Sequence, residues 1–341
     1  MQPQRVTRSD VAREAGTSVA VVSYVVNNGP RPVAPATRQR VLDAIKKTGY
    51  RPNGIARALA SGTTQTYGLI IPNISNPFLS SMAHALQREA FSKGQVLLLA
   101  DSGDDRQREL ELINNLLHRQ VDGLLYTSVD RHPYIELIQA SGTPFVMLDR
   151  VDLPVSAILV DERAAAFQAT HHLIEHGYHD IAIICGPMDM LNTSDRLNGW
   201  RDAMQQAGLK INEEWIFSTS YTRPGGYAAA QNMLQGRLPQ AVFCTNELQA
   251  FGCLRAMAER GFSAPKDIAL VCFNGTIESE FNVPSLTTVR QPIDLMAKNA
   301  IEMLQNWNGE PTCREFAFSL QIGESCGCHS DNKDPSLTIK R

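Results

Sequence analysis

Two short pairs of residues in this 341-residue chain have the side chains and the spacing that a metal ion needs. His172 and His176 lie four positions apart, so both imidazoles fall on one face of a helix. Cys326 and Cys328 form a C-x-C pair near the end of the chain. A structural zinc site takes four ligands. The C-x-C pair supplies two, and nothing in the sequence indicates that a second Cys or His pair completes the set with it. We therefore predict no metal site and no cofactor.

The motifs of several common enzyme classes are missing from the chain. It contains no G-x-S-x-G nucleophile elbow, no G-x-x-x-x-G-K-[ST] phosphate loop and no H-E-x-x-H metalloprotease helix. The sequence therefore offers no catalytic set of residues, and we predict that the protein is not an enzyme.

The stretch from Val6 to Asn28 predicts two short helices around a turn, with a surface suited to DNA. Gly16 can take the left-handed backbone of the turn, and Ser18 can cap the second helix. Val22, Val25 and Val26 recur at helical spacing and are expected to face inward. The opposite face is short, neutral and free of carboxylates, as close approach to base edges in a major groove requires. The predicted base-reading residues are Ser18, Val19, Ala20, Ser23, Tyr24 and Asn27.

Charge is distributed very unevenly along the chain. Residues 1–62 carry ten Lys and Arg against three Asp and Glu, a net charge of +7. The remaining residues carry 22 against 32, a net charge of −10. A basic segment with a helical pair is the electrostatic footprint of a protein that binds double-stranded DNA.

Two further segments extend the predicted DNA-binding surface. Pro35 opens a third helix, from which Thr37 and Arg38 can reach phosphates. Residues 54–60 have a helical pattern but are too few for a helix that is stable alone, so a partner must order them.

From Tyr67 onward, short apolar runs alternate with amphipathic stretches of helical length. The predicted strands are 68–71, 96–100, 123–126, 145–148 and 157–160, then 181–185, 215–218, 241–244 and 268–273. The predicted helices are 78–93, 106–119 and 133–140, then 163–176, 195–207, 226–235, 248–260 and 293–307. Two such series predict an α/β body of two doubly wound parallel-sheet lobes with a ligand cleft at the carboxyl ends of the strands.

Several charged and polar residues follow these strands. Asp161 ends a strand, and Asn246 and Asn274 each come just after one. Arg196 is placed at the start of a helix, where a guanidinium can make bidentate contacts with hydroxyls, carboxylates or phosphates. Arg150, after strand 145–148, adds a second cation. These residues are predicted to bind an effector in the cleft.

The N-terminal residues resemble the LacI/GalR family of bacterial repressors. The matching motif is DVAREAG at 10–16, then a Ser, a VS pair and VVN in the second helix, then TRQRVLDAIKKTGYRPNGIARALASG at 37–62. The resemblance continues to about Cys326. It implies a small all-α helix-turn-helix head and a body like the periplasmic sugar-binding proteins, in which the chain crosses between lobes near Asp161, Arg290 and Gln321.

The resemblance also implies roles for particular residues. Two hinge helices are implied to pair in a dimer and enter the minor groove, with Leu59 at the position of the apolar wedge. The predicted DNA-binding set therefore also includes Asn53, Ala58 and Leu59. Phe78 and Tyr221 match positions that bring an aromatic ring against the effector. Asp161, Arg196, Asn246 and Asn274 match effector-contacting positions, although Glu247 and Asn274 stand where Asp is common. The segment HLIEHG, which holds the histidine pair, matches an ordinary helix end.

Taken together, these observations predict a DNA-binding transcriptional regulator, a repressor controlled allosterically by a small molecule. We expect a homodimer, whose two heads should bind pseudo-palindromic double-stranded DNA. Some lactose-repressor-like proteins tetramerise through a leucine heptad, and the tail after His329 lacks one, so a dimer is favoured over a tetramer. A sugar or sugar derivative, with or without a carboxylate or phosphate, is the favoured effector. The alternatives are a nucleoside- or purine-responsive regulator of the same fold, and a solute-binding sensor without operator specificity.

The predicted domains follow from the change of pattern along the chain. Residues 1–51 form the helix-turn-helix domain, 52–62 the hinge helix and linker, and 63–341 the two-lobed body. Lobe 1 is predicted at about 63–160 and 291–320, and lobe 2 at about 161–290 and 321–330. No apolar signal core or long apolar run is present, so we expect a cytoplasmic protein without contact to a membrane.

Overall fold

The computed structural model describes residues 6–27, 29, 31–128, 130–149 and 152–328. The chain divides into two compact units, Met1–Thr64 and Gln65–Arg341. None of the described helices has the length together with the apolarity that a membrane span requires.

The described part of the first unit consists of helices. Their bounds are α1 Arg8–Ala15, α2 Val19–Asn27, α3 Pro35–Thr48 and α4 Gly54–Ser61. Gly16 ends α1 with a φ of 59°, a left-handed conformation that glycine adopts without strain, and the chain turns there towards α2. Val11, Val22 and Val41 are fully buried between α1, α2 and α3, as their helical spacing predicts.

The second unit contains two lobes, each built on a sheet of six strands. The strands of the first lobe are β1 Thr66–Ile71, β2 Val96–Asp101, β3 Gly123–Tyr126, β4 Phe145–Met147, β5 Ala157–Val160 and β11 Cys313–Phe316. They pair in the order β11-β5-β4-β3-β1-β2, all parallel. The helices of this lobe are α5 Pro77–Ser92, α6 Arg106–His118, α7 Ile135–Ser141 and α13 Ile293–Gln305.

The second lobe repeats this arrangement with one antiparallel edge strand. Its strands are β6 Ile181–Cys185, β7 Ile216–Ser218, β8 Ala241–Cys244, β9 Ala269–Phe273, β10 Thr287–Arg290 and β12 Ser319–Gln321. They pair in the order β12-β10-β9-β8-β6-β7, and β12 runs antiparallel to β10. Its helices are α8 Glu162–Glu175, α9 Leu191–Gln206, α10 Arg223–Met233, α11 Glu247–Glu259 and α12 Ile277–Phe281.

The predicted doubly wound fold is confirmed, and its physical basis is the burial of the central strands. Every residue of β3, β6, β8 and β9 is buried, because helices cover both faces of each sheet. The chain passes between the lobes after β5, after β10 and between β11 and β12. The third passage therefore lies between Phe316 and Ser319, slightly before the position near Gln321 that the sequence suggested.

Some elements were not predicted or begin elsewhere. Strands β10, β11 and β12 were missed, and β11 could not be recognised because Cys313, Arg314 and Glu315 are exposed and form no apolar run. Its pairing with β5 makes it a strand. Helix α9 begins at Leu191 rather than at residue 195. Its N-cap, Met190, makes no side-chain hydrogen bond, so no capping residue marks this start in the sequence.

Candidate functional site

The structure places the predicted base-reading residues on the accessible side of α2. Ser18, Val19, Ala20 and Asn27 are exposed, and Ser23 and Tyr24 are half-buried. The Ser18 hydroxyl accepts a hydrogen bond from the Val21 amide at 3.3 Å, as predicted for a cap. The Asn27 side-chain amide donates to the Ser23 hydroxyl at 3.2 Å. Helix α2 thus presents a neutral, hydrogen-bonding surface beside a short apolar pair.

Tyr24 is held against the backbone that follows α2. A Cβ atom on Gly29 would lie 2.7 Å from Cδ1 of the Tyr24 ring, closer than two carbon atoms can approach. The Gly29 amide donates to the Tyr24 carbonyl at 3.0 Å. Glycine at this position therefore allows the chain to pass the ring and restricts where the ring can point.

The start of α3 holds the two residues that were predicted to contact phosphates. Ala34 is the N-cap of this helix and makes no side-chain hydrogen bond to it. Thr37 is half-buried and Arg38 is exposed in this first turn. A helix N-terminus with nearby arginine favours an anion.

Helix α4 carries an exposed apolar side chain. Leu59 is 81% exposed, Asn53 is exposed and Ala58 is half-buried. An eight-residue helix with such a leucine is short of the length that is stable alone. The helix therefore has an apolar contact available for a partner.

In the second unit, a cavity of about 470 Å³ opens between the two sheets of strands. Its lining includes the predicted Phe78 from the first lobe and the predicted residues Arg196, Tyr221, Asn246 and Asn274 from the second. The structure thus brings together five residues that are far apart along the chain. The predicted Arg150 lies outside the described residues.

Asp161 does not line this cavity. Its carboxylate caps α8 and accepts a hydrogen bond from the Ala164 amide at 2.8 Å. The next residue, Glu162, lines the cavity instead. Helix capping fixes the Asp161 carboxylate against the helix end, and sequence position alone does not separate these two neighbouring carboxylates.

Arg196 is a buried cation with defined partners. Only 3% of it is exposed, and its Nε donates to the Glu162 carboxylate while Nη1 donates to the Thr245 carbonyl at 2.6 Å. Its guanidinium carbon lies 4.0 Å from the centre of the Phe273 ring. Burial alone lowers the pKa of Arg196, but the Glu162 carboxylate outweighs this and raises it. The cavity wall therefore contains a neutralised ion pair.

Tyr221 is positioned by hydrogen bonds and by a glycine. Its hydroxyl lies 2.7 Å from the Thr193 hydroxyl and donates to the Asn192 side chain at 3.3 Å. A Cβ atom on Gly186 would lie 2.2 Å from Cζ of the Tyr221 ring. Only glycine at residue 186 leaves space for the ring in this position.

The two asparagines have structural partners as well as a place in the cavity wall. The Asn246 side-chain oxygen caps α11 and accepts from the Leu248 amide at 2.8 Å. Asn274 has a φ of 65°, which asparagine tolerates better than most residues, and accepts from the Gln291 side chain at 2.6 Å. Both side chains are therefore held in fixed orientations.

Glu247, next to Asn246, turns away from the cavity. Its carboxylate accepts hydrogen bonds from the Thr276 amide at 2.9 Å, from the Thr276 hydroxyl and from the Ser279 hydroxyl. Burial raises the pKa of Glu247 above its ordinary value, against the effect of these hydrogen bonds. Its visible role is to hold the start of α12.

Sequence reasoning missed several charged residues of the cavity. They are Asp104, Asp149, Glu162, Asp189 and Arg223. Asp104 follows β2, and its carboxylate accepts from the Asn73 side chain at 3.0 Å. Asp149 follows β4, so the rule that ligands bind beyond strand ends could have identified both carboxylates.

The histidine pair and the C-x-C pair, which are about 150 positions apart in the sequence, lie together. One ligand atom from each of His172, His176, Cys326 and Cys328 lies within 4.8 Å of all the others. The expectation that no second Cys or His pair completes a set with the C-x-C pair was wrong, because residues about 150 positions apart meet where residues 322–328 pack beside α8. Burial, with a contribution from His176, lowers the pKa of His172 to about 4. All seven cysteines are free of disulfides.

Two family models together match almost the whole chain. A family model described as bacterial regulatory proteins of the lacI family matches residues 7–53. A second, described as periplasmic binding proteins and sugar binding domain of the LacI family, matches residues 64–322. The chain is 34% identical over 312 residues to catabolite control protein A of Priestia megaterium, covering 90% of this chain and 94% of that protein.

Two further relatives agree with this result. The ribose operon repressor of Escherichia coli strain K12 is 34% identical over 319 residues, which cover 92% of this chain and 96% of the repressor. The solved structure of the lac repressor dimer bound to operator and the anti-inducer ONPF is 25% identical, with a TM-score of 0.84, and the match covers 95% of this chain and 99% of that one. The helix-turn-helix unit, the two-lobed body and these matches lead to one conclusion. The chain belongs to the LacI family of bacterial DNA-binding transcriptional regulators.

Proposed function

We propose that this regulator represses transcription as a homodimer on a two-fold-related operator, and that a neutral, polyhydroxylated ligand such as a sugar controls its binding to DNA. The observation that carries the DNA-binding part is the exposed, uncharged face of α2 within a segment of net charge +7. The surrounding cations supply attraction to phosphates, and the neutral face leaves base edges accessible.

The cavity supports a neutral ligand better than an anionic one. Asp104, Asp149, Glu162 and Asp189 contribute four carboxylates to its lining, against two guanidiniums from Arg196 and Arg223. The charge of Arg196 is already balanced by Glu162. A phosphate or carboxylate on the ligand would therefore meet excess negative charge, whereas hydroxyl groups can donate to the carboxylates.

Aromatic residues also make the cavity suitable for a sugar. Phe78 and Tyr221 line the cavity from opposite lobes, and their rings can cover the apolar faces of a pyranose or furanose. The solved lac repressor structure names a small molecule, the anti-inducer ONPF, beside the operator. We propose the cavity between the two lobes as the effector site of this chain.

Exposed apolar residues support dimer formation. Phe91 at the end of α5 is 79% exposed, and Val96 and Leu99 on the edge strand β2 are 57% and 46% exposed. An exposed edge strand with apolar side chains is a surface that a second copy can cover. As a regulator of bacterial DNA, the protein is proposed to act in the cytoplasm and to associate with the nucleoid when bound.

The proposed function is tested with full-length protein in two steps. Selection of bound genomic fragments followed by footprinting should yield a site with two related half-sites. Calorimetry should then detect binding of neutral sugars, with sugar phosphates and nucleosides as comparison ligands. Selective binding of a nucleoside or a phosphorylated sugar would contradict the ligand proposal, and protection without half-site symmetry would contradict the dimeric operator.

A Phe78→Ala variant separates the two activities. We expect it to lose affinity for the ligand while its affinity for the operator in the absence of ligand stays unchanged, because Phe78 lies in the cavity wall of the second unit. Equal ligand affinity in the variant and the wild-type protein would show that the ligand binds elsewhere.

A further inference from the structure

The cluster of two histidines and two cysteines lies on the second lobe, where the end of α8 meets the terminal segment at residues 322–328. His176 Nε2 lies 2.9 Å from Cys328 Sγ, and His172 Nε2 lies 3.3 Å from Cys326 Sγ and 3.6 Å from Cys328 Sγ. Two nitrogens and two sulfurs thus converge on one point, and each comes from a different residue.

The backbone of each pair is shaped so that both side chains point the same way. His172 and His176 are separated by one turn of α8, and their ring centres are 4.4 Å apart. Gly327, between the two cysteines, has a φ of 91°, which favours glycine strongly. A Cβ atom there would also lie 2.9 Å from the Tyr178 hydroxyl. Glycine therefore allows the tight turn that directs both thiols to the histidines.

Neighbouring groups orient two of the four side chains, those of His176 and Cys326. The Nδ1 atom of His176 lies 2.8 Å from the His172 carbonyl, so it carries the proton and leaves the Nε2 lone pair directed at the cluster. The Thr287 hydroxyl donates to Cys326 Sγ at 2.9 Å, a contact that also stabilises a thiolate. The Tyr178 hydroxyl donates to the Cys326 carbonyl at 3.3 Å.

We propose that His172, His176, Cys326 and Cys328 bind one zinc ion that ties the end of α8 to the terminal segment of the chain. Two imidazoles and two thiolates are a common ligand set of structural zinc sites. Binding converts the two thiols to thiolates, and the two protons pass to solvent.

The observed spacing is close to that of a tetrahedral zinc site. Zn–N bonds of about 2.0–2.1 Å and Zn–S bonds of about 2.3 Å at tetrahedral angles place nitrogen and sulfur about 3.6 Å apart. The separations of 3.3 and 3.6 Å from His172 are within a few tenths of an ångström of this value. The shorter separation, from His176, can widen easily because His176 is exposed and Cys328 is only half-buried.

Four protein ligands leave no open position, so the zinc is structural rather than catalytic. Glu162, which lines the effector cavity, lies at the opposite end of α8 from His176. The helix has 14 residues, which corresponds to about 20 Å at 1.5 Å per residue. The site is thus separate from the effector cavity and stabilises the second lobe.

The test uses reduced full-length protein that has been stripped with a chelator and then supplied with zinc alone. We expect one zinc per chain to remain after dialysis, as measured by elemental mass spectrometry, and a higher Tm with zinc than without it. Cobalt in place of zinc should give the visible absorption of a tetrahedral site together with a thiolate charge-transfer band.

Substitutions in the cluster should lower the bound zinc from one per chain to near zero. Cys328→Ser removes a thiolate, and His176→Gln removes an exposed ligand with little risk to folding. The matched controls are Cys313→Ser, at an exposed cysteine on β11, and His171→Gln, at the neighbouring histidine of α8. Both controls should retain one zinc.

Three results would overturn the proposal. Wild-type protein that retains no more zinc than Cys328→Ser has no such site. Loss of zinc in the two controls to the same extent as in the cluster variants would place the metal elsewhere. Full retention of zinc by folded His176→Gln, with the fold checked by circular dichroism, would remove that histidine from the ligand set and contradict the proposed site.

Discussion

Arg196 and Glu162 form a buried ion pair across two neighbouring helices of the second lobe, with 3% and 8% of their side chains exposed. Glu162 is the first residue of α8, and Arg196 lies in the second turn of α9. The pair forms part of the cavity wall, so it ties α8 to α9 beside the cavity.

Removing one member of this pair should be costly. Glu162→Gln leaves the Arg196 guanidinium buried without its counter-ion, and we expect the free energy of unfolding to fall by about 3–5 kcal/mol. The matched control is Asp202→Asn, which breaks the half-exposed pair of Arg163 and Asp202 and should cost about 1 kcal/mol or less. Urea unfolding measures the free energy of unfolding of both variants. Similar losses in the two would contradict the claim that burial makes the Arg196–Glu162 pair the more costly one to break.

Leu59→Ala should weaken binding to the operator and leave binding to random DNA almost unchanged. The leucine is 81% exposed in the free protein, so its loss should not lower Tm, and its apolar contact is proposed to form only in a kinked specific complex. Leu295→Ala, at a half-exposed leucine in the second unit, is the control. Gel shifts with both DNAs make the comparison, and equal losses on operator and random DNA would show that Leu59 is not a wedge.

Val19, Ala20 and Tyr24 should determine base preference. All three lie on the accessible side of α2, where Val19 and Ala20 can contact thymine methyl groups. Replacing these side chains should change the consensus that is selected from a random DNA library. An unchanged consensus would mean that specificity depends on the shape of the DNA rather than on these residues.

Binding to DNA should depend steeply on salt, because residues 1–62 carry a net charge of +7. With about six phosphates contacted, log K should fall against log salt with a slope of about −5, or −0.9 for each contact. Fluorescence anisotropy between low and physiological salt gives the slope. A slope near zero would show that the basic segment does not contact the DNA phosphates.

Glu247 should make stability depend on pH. Burial raises its pKa in the folded state above the unfolded value, so its contribution is fully present below the unfolded pKa and is lost as pH rises through the folded pKa. The free energy of unfolding of Glu247→Gln relative to wild type should therefore increase as pH rises above about 4.5, and then level off. Urea unfolding from pH 4 to pH 7 tests this, and a difference independent of pH would contradict it.

The sequence by itself determined most of the local elements and the family. Apolar spacing of three and four residues identified the buried side of α2 through Val22 and Val25, and fully apolar runs identified β3 and β8, because burial on both faces selects such residues at every position. Charge identified the DNA-binding segment, since the excess of Lys and Arg before residue 63 does not depend on how the chain folds.

Only the tertiary structure decided which side chains meet. Asp161 and Glu162 are adjacent carboxylates, and the helix end that Asp161 caps is what leaves Glu162 in the cavity wall. The C-x-C pair gains its histidines from α8, about 150 residues earlier, because packing of the terminal segment on the second lobe brings them together. A local sequence pattern indicates which side of its own helix or strand a residue occupies. A site assembled from several elements depends on long-range packing, which no local pattern encodes.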